Sequence, residues 1–540
     1  MHTMSSFIPE SAPFNEEQRA WLNGFFAGLT GIQGDAGATG QAVLAGVDQA
    51  AITAATVEEQ DDDCPWHDPS LPIVDRMDMA ADRPLKRKLM AAMAQLDCGS
   101  CGYVCESYAE AIASGDESNL SLCSPGGKET KQMIKRLLAD APAEANGASS
   151  GNGSAMSNGN TAAKNGDSGY SRKNPFTARL LESRCLNLEG SAKDTRHVVI
   201  DLVGSGMKYN VGDALGVYPT NCGDLVEQIV RTLAADPNVS VESPLGGMKP
   251  FAQSLCEDCC LKDPSDELLE LLASRVVDDS VRDQLNQLIR DGVPDGFDVL
   301  DALEIAKDVR VASGEFIERL EPLNPRLYSI ASSMKAVGDQ VHLTVGKVTY
   351  DRTGRTRKGV ASTMLADRVP QGDSVRVFVQ PNHAGFTVPS DPACPMIMVG
   401  PGTGIAPFIA FLQERAATKA TGENWLFFGD QHESSDFLYR EDLQQYKDDG
   451  VLTRLDTAFS RDSEQKLYVQ DRMAQNASEL YQWLQRGACF YICGDASRMA
   501  KDVDRTLRKI IADEGQMSPE AVDKFVDQMI ADGRYHRDVY

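Results

Sequence analysis

Two features common in other protein classes are missing from this 540-residue sequence. A helix that crosses a membrane needs about 18 uninterrupted apolar residues, and the nearest run, CPMIMVGPGTGIAPFIAFL, is broken by glycine and proline. The first residues, MHTMSSFIPESAPF, also lack the basic segment and apolar run of a secretory signal. We therefore expect a cytoplasmic protein that does not enter a membrane.

Basic residues are scarce relative to acidic ones. The sequence has 53 lysines and arginines against 79 aspartates and glutamates, a formal net charge of -26. Because the phosphates of nucleic acids attract basic surfaces, this balance argues against a nucleic-acid partner. Apolar residues still make up 42% of the chain, enough to build buried cores. A chain of this length is expected to hold several domains.

Cysteine, by contrast, is plentiful, with 13 residues. In a reducing compartment thiols persist and serve metal sites, redox chemistry or burial. Three of them clump in DCGSCGYVC and a fourth follows in LCSPGG; these are Cys98, Cys101, Cys105 and Cys123. This grouping favours an iron–sulfur cluster, with zinc or unligated thiols as the alternatives. Another group, Cys256, Cys259 and Cys260, has no fourth thiol near it and is predicted to pack within a helix.

The segment CGSCGYVCESYAEAIASG, with the later LCSPGG, resembles the four-cysteine domain of corrinoid iron–sulfur proteins and of a subunit of membrane ferredoxin-reducing complexes. In those proteins a CxxCGxxxC motif, a following helix and a later CxPGG motif hold a 4Fe-4S cluster. The resemblance implies that all four cysteines are ligands of such a cluster. The gap between Cys101 and Cys105 is one residue shorter than in the family pattern.

Composition separates the front of the chain into three predicted segments. Residues 1–60 are a helical and low-complexity segment, in which 14–32 form an amphipathic helix that packs on its own chain or docks a partner. Residues 61–140 form a small α-helical cluster domain, with a helical run from Pro84 to Leu96. Residues 141–173 are dominated by Ala, Gly, Asn and Ser, which predicts a flexible linker.

The rest of the chain predicts two further domains. Alternating patterns such as RHVVIDLVGSGMKYNVGDALGVYP predict an antiparallel β-barrel over 174–390. A helical insertion at about 225–320 interrupts it, as in DELLELLASRVVDDSVRDQLNQLI. From Pro395 onward strands and helices alternate, which is typical of a doubly wound parallel sheet. The predicted fold is therefore multidomain, with an α/β domain over 391–540.

Two motifs predict a flavin site. RLYSIASS places Arg326 and Tyr328 on one face of a strand, beside Ser329. An arginine can pair with a pyrophosphate, an aromatic ring can lie against a flavin, and a hydroxyl can reach the reactive ring nitrogen. KGVAST, from Lys358 to Thr363, offers backbone N–H groups at a helix start to the same pyrophosphate.

Two further motifs predict a dinucleotide site. MVGPGTGIAPF follows an apolar strand and opens a helix, which is the context of a phosphate-binding loop; the predicted contacts are Gly400, Gly402, Thr403 and Gly404. In SRDSEQKLYVQD the cations Arg461 and Lys466 suit the 2′-phosphate of NADP, with a solvated basic turn as the alternative. Cys493 ends the strand in YICGD, at the edge where such sheets bind their ligands.

From Asn174 to Tyr540 these motifs resemble the ferredoxin–NADP reductase-like module of the diflavin reductases, and within that family the flavoprotein subunits of NADPH sulfite reductases. The resemblance implies FAD contacts at Arg326, Leu327, Tyr328, Ser329, Thr344, Val345, Gly346, Tyr350, Gly359, Val360, Ala361, Ser362 and Tyr540. It implies NADP contacts at Ser460, Arg461, Lys466, Leu467, Tyr468, Val469, Gln470 and Asp502. It places Ser329, Cys493 and Asp538 around the point of hydride transfer.

One departure from the family matters for function. The diflavin reductases carry an FMN-binding flavodoxin domain ahead of this module, whereas here the four-cysteine region stands in that place. NADPH gives up a hydride while iron–sulfur and haem acceptors take single electrons, and FAD can serve both. We therefore predict an NADPH-dependent flavin oxidoreductase that passes electrons from NADPH through FAD and a 4Fe-4S cluster to a partner protein.

The resemblance implies that this partner is a sirohaem sulfite reductase subunit, in assimilatory sulfate reduction and cysteine biosynthesis. A general NADPH:ferredoxin-type oxidoreductase, or one linked to nitrite reductase, would use the same domains to take electrons from NADPH. A non-catalytic, cluster-bearing assembly protein is the third alternative.

Overall fold

The computed structural model describes residues 64, 66, 71–95, 103, 105–115, 117, 119–123, 125–140, 169–382 and 385–540. The predicted helix over 14–32, most of the predicted linker, and Cys98 and Cys101 lie outside these residues. The chain divides into two units at Cys64 and Pro65, and the elements below all belong to the second. None of the helices in the described part of the chain combines the length and apolar character needed to cross a membrane.

The described residues between 73 and 140 form helices, as the sequence predicts. These helices are α1 (Ile73–Met79), α2 (Leu85–Ala92), α3 (Cys105–Ser114) and α4 (Gly127–Asp140). The helix predicted from Pro84 to Leu96 ends earlier, because Met93 is extended and Gln95 has a left-handed φ of 58°. The Gln95 amide donates to the Met93 carbonyl oxygen at 3.0 Å, which satisfies a backbone group near the helix end. Tyr108 is fully buried at the centre of this region.

Ten strands follow between residues 176 and 380. They are β1 (Phe176–Cys185), β2 (Thr195–Asp201), β3 (Ala214–Tyr218), β4 (Ser240–Glu242), β5 (Met248–Pro250), β6 (Arg326–Ser329), β7 (Gln340–Gly346), β8 (Thr349–Arg352), β9 (Arg355–Lys358) and β10 (Ser374–Gln380). Six of them form an antiparallel sheet in the order β6-β3-β10-β1-β2-β7. Ile330, just after β6, forms an isolated bridge to Leu343 in β7, so the two edge strands approach each other. The antiparallel sheet is confirmed, and its closure into a barrel stays a prediction.

Helices fill the long connection between β3 and β6, close to the predicted bounds of the insertion. They are α5 (Gly223–Thr232), α6 (Phe251–Glu257), α7 (Asp266–Arg275), α8 (Asp279–Asp291), α9 (Val299–Ile305) and α10 (Ser313–Glu318). They enclose a core of their own around Phe251, Leu268 and Phe316. Cys259 is fully buried in this core. Burial raises the pKa of its thiol to about 12, which fits the packing role that the sequence predicts. The predicted helix is wrong at Cys259 and Cys260, because α6 ends at Glu257 and Cys259 forms an isolated bridge to Pro322.

The last part of the chain alternates strands and helices. After the short helices α11 (Met334–Val337) and α12 (Val360–Thr363) come β11 (Met396–Val399), α13 (Ala406–Thr418), β12 (Asn424–Asp430), α14 (Glu433–Asp436), α15 (Arg440–Asp448), β13 (Arg454–Phe459), α16 (Val469–Gln475), α17 (Ala477–Gln485), β14 (Cys489–Gly494), α18 (Met499–Gly515), α19 (Pro519–Ala531) and β15 (Tyr535–Val539).

The five late strands form one parallel sheet in the order β13-β12-β11-β14-β15. Ile397 and Val399 of β11 pack into the core on one face, and Met396 and Met398 pack into the core on the other. A strand covered on both faces is expected to be a continuous apolar run, as MIMV is. The doubly wound sheet is confirmed. The strand order reverses at β11, so a ligand crevice is expected at the carboxyl ends of β11 and β14.

Candidate active site

A cavity of about 830 Å³ lies where the parallel strands end against the antiparallel sheet. Its size is within the range of cofactor sites. One wall comes from the antiparallel sheet and its loops: Ser191, Ala192, Lys193, Asp194, Thr195, Ala214, Leu327, Tyr328, Ser329, Thr344, Gly346, Lys347, Val348 and Thr349. The other wall comes from the carboxyl edge of the parallel sheet: Pro401, Gly402, Thr403, Ala406, Gly494, Asp495, Asp538 and Tyr540.

Ser329, Cys493 and Asp538 come together beside this cavity. Cys493 and Asp538 are register partners on the parallel strands β14 and β15. The Ser329 hydroxyl, at the end of β6, donates to the Asp538 carboxylate at 2.6 Å, and the Cys493 thiol donates to the same oxygen at 3.7 Å. Three groups far apart in sequence, from two different sheets, thus share one carboxylate oxygen.

The electrostatics of this group follow from its low exposure to water. Burial raises the pKa of Asp538 above its ordinary value, although the hydrogen bonds from Ser329 and Cys493 oppose the shift. Burial, with a contribution from the nearby Asp538 carboxylate, raises the pKa of the Cys493 thiol well above its ordinary value. Cys493 is therefore a neutral thiol, whereas Asp538 retains a proton to higher pH than an exposed aspartate does.

Tyr540 lies at the mouth of the cavity. Its phenol oxygen is 2.9 Å from the Thr403 hydroxyl in the glycine loop. Its backbone is tied to the end of β14, since the Tyr540 N–H donates to the Gly494 carbonyl and the Ala496 N–H donates to the Tyr540 carbonyl. The side chain remains 53% exposed, so one aromatic ring lies between the cavity and solvent.

The glycine loop lies directly against β14. A Cβ atom on Gly404 would fall 2.1 Å from the Cys493 carbonyl oxygen, and Gly402 has a φ of +57°. A side chain at Gly404 would therefore push apart the two segments that form the cavity wall. The loop passes through a short 3-10 turn over Gly402–Ile405 into α13. The strand, glycine loop and helix that the motif predicts are all present.

The structure places the predicted FAD contacts in three groups. Six of them line the cavity: Leu327, Tyr328, Ser329, Thr344, Gly346 and Tyr540. Gly359, Val360, Ala361 and Ser362 start α12 next to it, where the N–H of the cavity residue Val348 donates to the Ser362 hydroxyl at 3.2 Å. The side chains of Arg326, Val345 and Tyr350 do not line the cavity: Arg326 donates to the Asn324 carbonyl, Val345 is buried in the sheet core and Tyr350 is on β8.

The predicted NADP contacts follow the end of β13. The Ser460 N–H donates to the Asp430 carbonyl and the Arg461 N–H to the Gln431 carbonyl, both at 2.9 Å, which fixes the start of this loop beside β12. Arg461 and Lys466 are exposed, and neither forms an ion pair with a residue in the described part of the chain. Leu467, Tyr468, Val469 and Gln470 lead into α16, with Tyr468 as its N-cap. Asp502 lies in the first turn of α18.

Sequence reasoning missed the loop between β1 and β2, which supplies four of the cavity residues, and Thr195, the first residue of β2, which supplies a fifth. Lys193 in this loop forms an ion pair with Asp430 at the end of β12. In the same loop the Asn187 amide donates to Asp436 at 2.9 Å. The segment EGSAKDT matches no motif, and its only signal is a lysine among small polar residues. Its position at the cavity depends on how the two sheets meet.

Two of the four predicted cluster ligands are described, and both lie at helix starts. Cys105 is the first residue of α3, and Cys123 precedes α4, with the N–H groups of Gly126 and Gly127 donating to its carbonyl. A Cβ atom on Gly126 would fall 3.0 Å from the Cys123 Sγ atom and 2.1 Å from the Thr130 hydroxyl. Glycine therefore lets the backbone fold closely around this thiol, which fits a bulky inorganic core.

The other two ligands, Cys98 and Cys101, lie outside the described residues. Within the described part of the chain no group of three or more His, Cys, Asp or Glu side chains is placed to hold a metal.

The cluster region contacts the helical insertion through polar groups. Lys131 on α4 forms an ion pair with Glu321, and the Lys135 ammonium is 2.7 Å from the Glu267 carboxylate. The Asn119 amide donates to the Asn324 side chain at 3.2 Å. Asn324 is two residues before β6, the strand that carries Tyr328 and Ser329 to the cavity. This contact therefore lies at one end of a strand whose other end lines the cavity.

Comparison with protein families gives three matches. A model described as "FAD binding domain" matches residues 168–364, and one described as "Oxidoreductase NAD-binding domain" matches residues 398–505. A third, described as "Putative Fe-S cluster", matches residues 93–125. The chain thus carries domains for FAD and a nicotinamide dinucleotide, together with an iron–sulfur region, as the sequence motifs predict.

Comparison with individual proteins gives relatives that share one name. The sulfite reductase (NADPH) flavoprotein alpha-component of Bacillus subtilis is 46% identical over 394 residues, which is 72% of this chain and 65% of that protein. Its counterpart in Escherichia coli is 43% identical over 374 residues, or 69% of this chain and 62% of that protein. The chain therefore spans less than two thirds of the length of these relatives.

Proposed function

We propose that this chain, a relative of the sulfite reductase flavoprotein alpha-components with a FAD-binding and a NAD-binding domain, is an NADPH-dependent flavin oxidoreductase. In this proposal electrons from NADPH reach FAD, then a 4Fe-4S cluster, then a protein partner. The observation that carries it is the meeting of Ser329, Cys493 and Asp538 on one carboxylate oxygen beside the cavity. FAD bound there supplies the chemistry of accepting a hydride and releasing single electrons.

Each of the three residues has a stated part in the proposed reaction. Asp538 accepts the hydrogen bond of the Ser329 hydroxyl at 2.6 Å and so holds that hydroxyl at the cavity wall. Because burial raises the pKa of Asp538, its carboxyl group can take up and return a proton at a higher pH than an exposed aspartate. Cys493 is fully buried, and its neutral thiol needs no counter-ion there.

Tyr540 is proposed to cover the cavity until the nicotinamide arrives. Backbone hydrogen bonds hold its main chain, whereas its side chain forms a hydrogen bond between the Tyr540 and Thr403 hydroxyl groups. One such bond contributes roughly 0.5–1.5 kcal/mol, so the half-exposed ring can exchange it for contacts with a ring of similar shape. The side chain can therefore move aside without unfolding β15.

The cations after β13 support NADPH over NADH as the reductant. Arg461 and Lys466 are exposed and available to an anion, and Tyr468 beside them is 44% exposed. A guanidinium group binds a phosphate through paired charge-assisted hydrogen bonds. The 2′-phosphate is the group that distinguishes NADPH from NADH.

A second contact, next to the one between α4 and the insertion, supports transfer from FAD to the cluster region. It joins Asn119 and Ser121, near Cys123 in sequence, to Asn324, just before β6. The ion pairs beside it are partly exposed: Lys135 and Glu267 are 43% and 42% exposed. Exposed pairs contribute roughly 0.2–1 kcal/mol each, so the contact can form and separate.

For the partner we propose a sirohaem sulfite reductase subunit, because the relatives are named as components of sulfite reductase. The proposed domains are 61–140 for the cluster, 141–173 for the linker, 174–390 for FAD and 391–540 for NADP. The cytoplasmic location stays a prediction.

The decisive experiment is the visible spectrum of anaerobically purified protein before and after addition of NADPH. We expect flavin bands together with a broad brown absorbance, and both should bleach on addition of NADPH. A protein that has flavin bands but no iron or acid-labile sulfide would overturn the relay, and metal analysis that returns zinc would do the same. Co-purification of a stoichiometric sirohaem protein supports the sulfite reductase partner, and its absence favours the general reductase.

A further inference from the structure

Two cysteine side chains face each other at the amino-terminal ends of two neighbouring strands of the parallel sheet. The cavity lies at the carboxyl ends of the same strands. Cys489 is the first residue of β14, and Cys394 lies two residues before β11, the neighbouring strand. Their Sγ atoms are 3.6 Å apart. The backbone fixes both of them, because the Cys489 N–H donates to the Pro395 carbonyl at 2.9 Å. Neither residue belongs to the cysteine pattern or to the hydride-transfer group.

The two thiols differ in their access to solvent. Cys489 is 5% exposed, whereas Cys394 is half-buried and can be reached from solvent. Arg415 holds the segment around Cys394, because its guanidinium group donates to the Cys394 and Pro392 carbonyls, each at 3.0 Å. The Cys394 thiol therefore has a fixed position, and a small molecule from solvent reaches it before it reaches Cys489.

Their electrostatic surroundings also differ. The hydrogen bond from Cys489 lowers the pKa of Cys394, and the Arg415 charge acts in the same direction, whereas burial opposes the shift. The Cys394 sulfur also lies 3.5 Å from the Pro395 and Gly487 carbonyl oxygens. The same coupling to Cys394, together with burial, raises the pKa of Cys489.

We propose that Cys394 and Cys489 form a thiol-oxidation site that takes low-molecular-weight disulfides such as oxidised glutathione and closes into an internal disulfide. The Cys394 thiolate attacks one sulfur atom of the small disulfide, which forms a mixed disulfide and releases one thiolate. Cys489 then loses its proton and attacks the Cys394 sulfur, which releases the second thiolate. Two protein thiols are oxidised, one small disulfide is reduced to two thiols, and the two protons go to the released thiolates.

The bond would join the starts of β11 and β14, whereas the cavity lies at their other ends. Cys489 and Gly494 are the first and last residues of the six-residue strand β14, and Gly494 lines the cavity, so the two sites are roughly 17 Å apart along the strand. We therefore expect the bond to stabilise the parallel sheet by closing a long loop, and to leave flavin reduction by NADPH almost unchanged.

The test is peptide mapping of the full-length protein after incubation with oxidised glutathione. We expect a peptide that joins Cys394 to Cys489 with loss of two hydrogen atoms, a melting temperature raised by several degrees, and reversal of both by a dithiol reductant. Cys185, an exposed cysteine whose sulfur contacts only the oxygens of Asn187 and Asp194 in the described chain, is the matched control and should form a mixed disulfide only.

Two variants separate the steps. Cys489→Ser, which keeps a hydroxyl donor beside Cys394, should trap one glutathione on Cys394, whereas Cys394→Ser should leave Cys489 unmodified. If Cys394 stays free to alkylate while Cys185 is modified, the proposal is wrong. It is also wrong if the Cys489→Ser variant carries no trapped glutathione. None of these outcomes depends on the proposed electron transfer, because mapping reads the cysteines directly.

Discussion

The cavity between the two sheets and the contact between α4 and the insertion are held together in different ways. At the cavity, strands of two different sheets bring Ser329 and Asp538 within 2.6 Å of each other across 209 positions of sequence. At the other contact, partly exposed lysines meet partly exposed carboxylates. In the proposed relay a hydride must be transferred over a short and fixed distance, whereas the cluster has to reach two partners in turn. The comparison therefore fits a rigid site for the first step and a contact that can separate for the second.

The test with the largest expected effect removes the cluster and leaves the cavity unchanged. In the proposed relay, Cys123→Ser takes away one of four thiolate ligands, so most of the iron should be lost. NADPH should still reduce the flavin, because the cavity contains no residue of the cluster region. Iron analysis and stopped-flow flavin absorbance measure the two effects.

The matched control is Cys64→Ser, at a half-buried cysteine outside the four-residue pattern. This control should keep its iron. Loss of flavin reduction in Cys123→Ser, or full iron content, would contradict the separation of the two sites.

The second test acts within the cavity. Asp538→Asn keeps an acceptor for the Ser329 hydroxyl but removes the carboxylate that binds a proton. We expect flavin reduction by NADPH to slow roughly 100-fold, which is the low end for loss of an acid–base group. The pH profile of the rate should also lose an inflection above the ordinary pKa of aspartate.

Ser497→Ala is the control, since its hydroxyl contacts the Asp495 carboxylate outside the group of three. It should leave both the rate and the pH profile unchanged. An Asp538→Asn rate close to that of the wild type would show that the carboxylate serves only in packing.

The third test concerns the choice of dinucleotide. Arg461→Ala should raise the KM for NADPH roughly 10-fold or more, because a charge-assisted pair with the 2′-phosphate is lost. The KM for NADH should not change. Arg486→Ala removes an equal charge from an exposed ion pair with Glu423 and should affect neither. Equal effects of Arg461→Ala on both dinucleotides would place this residue away from the 2′-phosphate.

The fourth test weakens the contact between α4 and the insertion, which is proposed to form and separate during electron transfer. Reversing Lys131 and Lys135 to glutamate should slow transfer from flavin to cluster by up to roughly tenfold at low salt, since exposed pairs contribute little each. Matching reversals at Glu321 and Glu267 should restore the rate. Arg136→Glu changes the same charge on α4 but affects only a pair with Asp140 on the same helix. If it has an equal effect, the overall charge of α4 matters rather than the contact.

The smallest effect concerns stability against pH. The pKa of Asp538 is raised above its ordinary value of 3.8 in the folded chain. Well below pH 3.8 the carboxyl group is protonated in both the folded and the unfolded chain, so it does not lower the free energy of unfolding. As the pH rises the unfolded chain gives up this proton first, and the folded protein loses stability until the pH passes the folded pKa. Asp538→Asn avoids this loss. The melting temperature of the variant relative to the wild type should therefore increase as the pH rises above 3.8, and a difference that stays constant with pH would contradict the raised pKa.

Much of this site is readable from short motifs. Apolar runs predict the strand before Gly404 and the strand that leads to Cys493, because a strand covered on both faces is apolar throughout. The glycine spacing predicts the loop and the helix that follows, because the loop must turn tightly between strand and helix. Family resemblance adds Asp538 and Tyr540, which composition and spacing alone do not single out. The helix from Leu85 ends before its predicted bound because Gln95 adopts a left-handed conformation that its residue type does not announce.

The sequence by itself determined that an antiparallel sheet with a helical insertion precedes an alternating α/β region, since hydrophobic periodicity and glycine placement are local properties of the chain. It also determined which thiols stand in the four-cysteine pattern. Only the tertiary structure decided that Lys193 faces Asp430 at the cavity, that Cys394 faces Cys489, and that α4 lies against Glu267 and Glu321. Each of these pairs joins residues far apart in sequence, and contacts of that kind depend on how whole sheets and helices pack against each other.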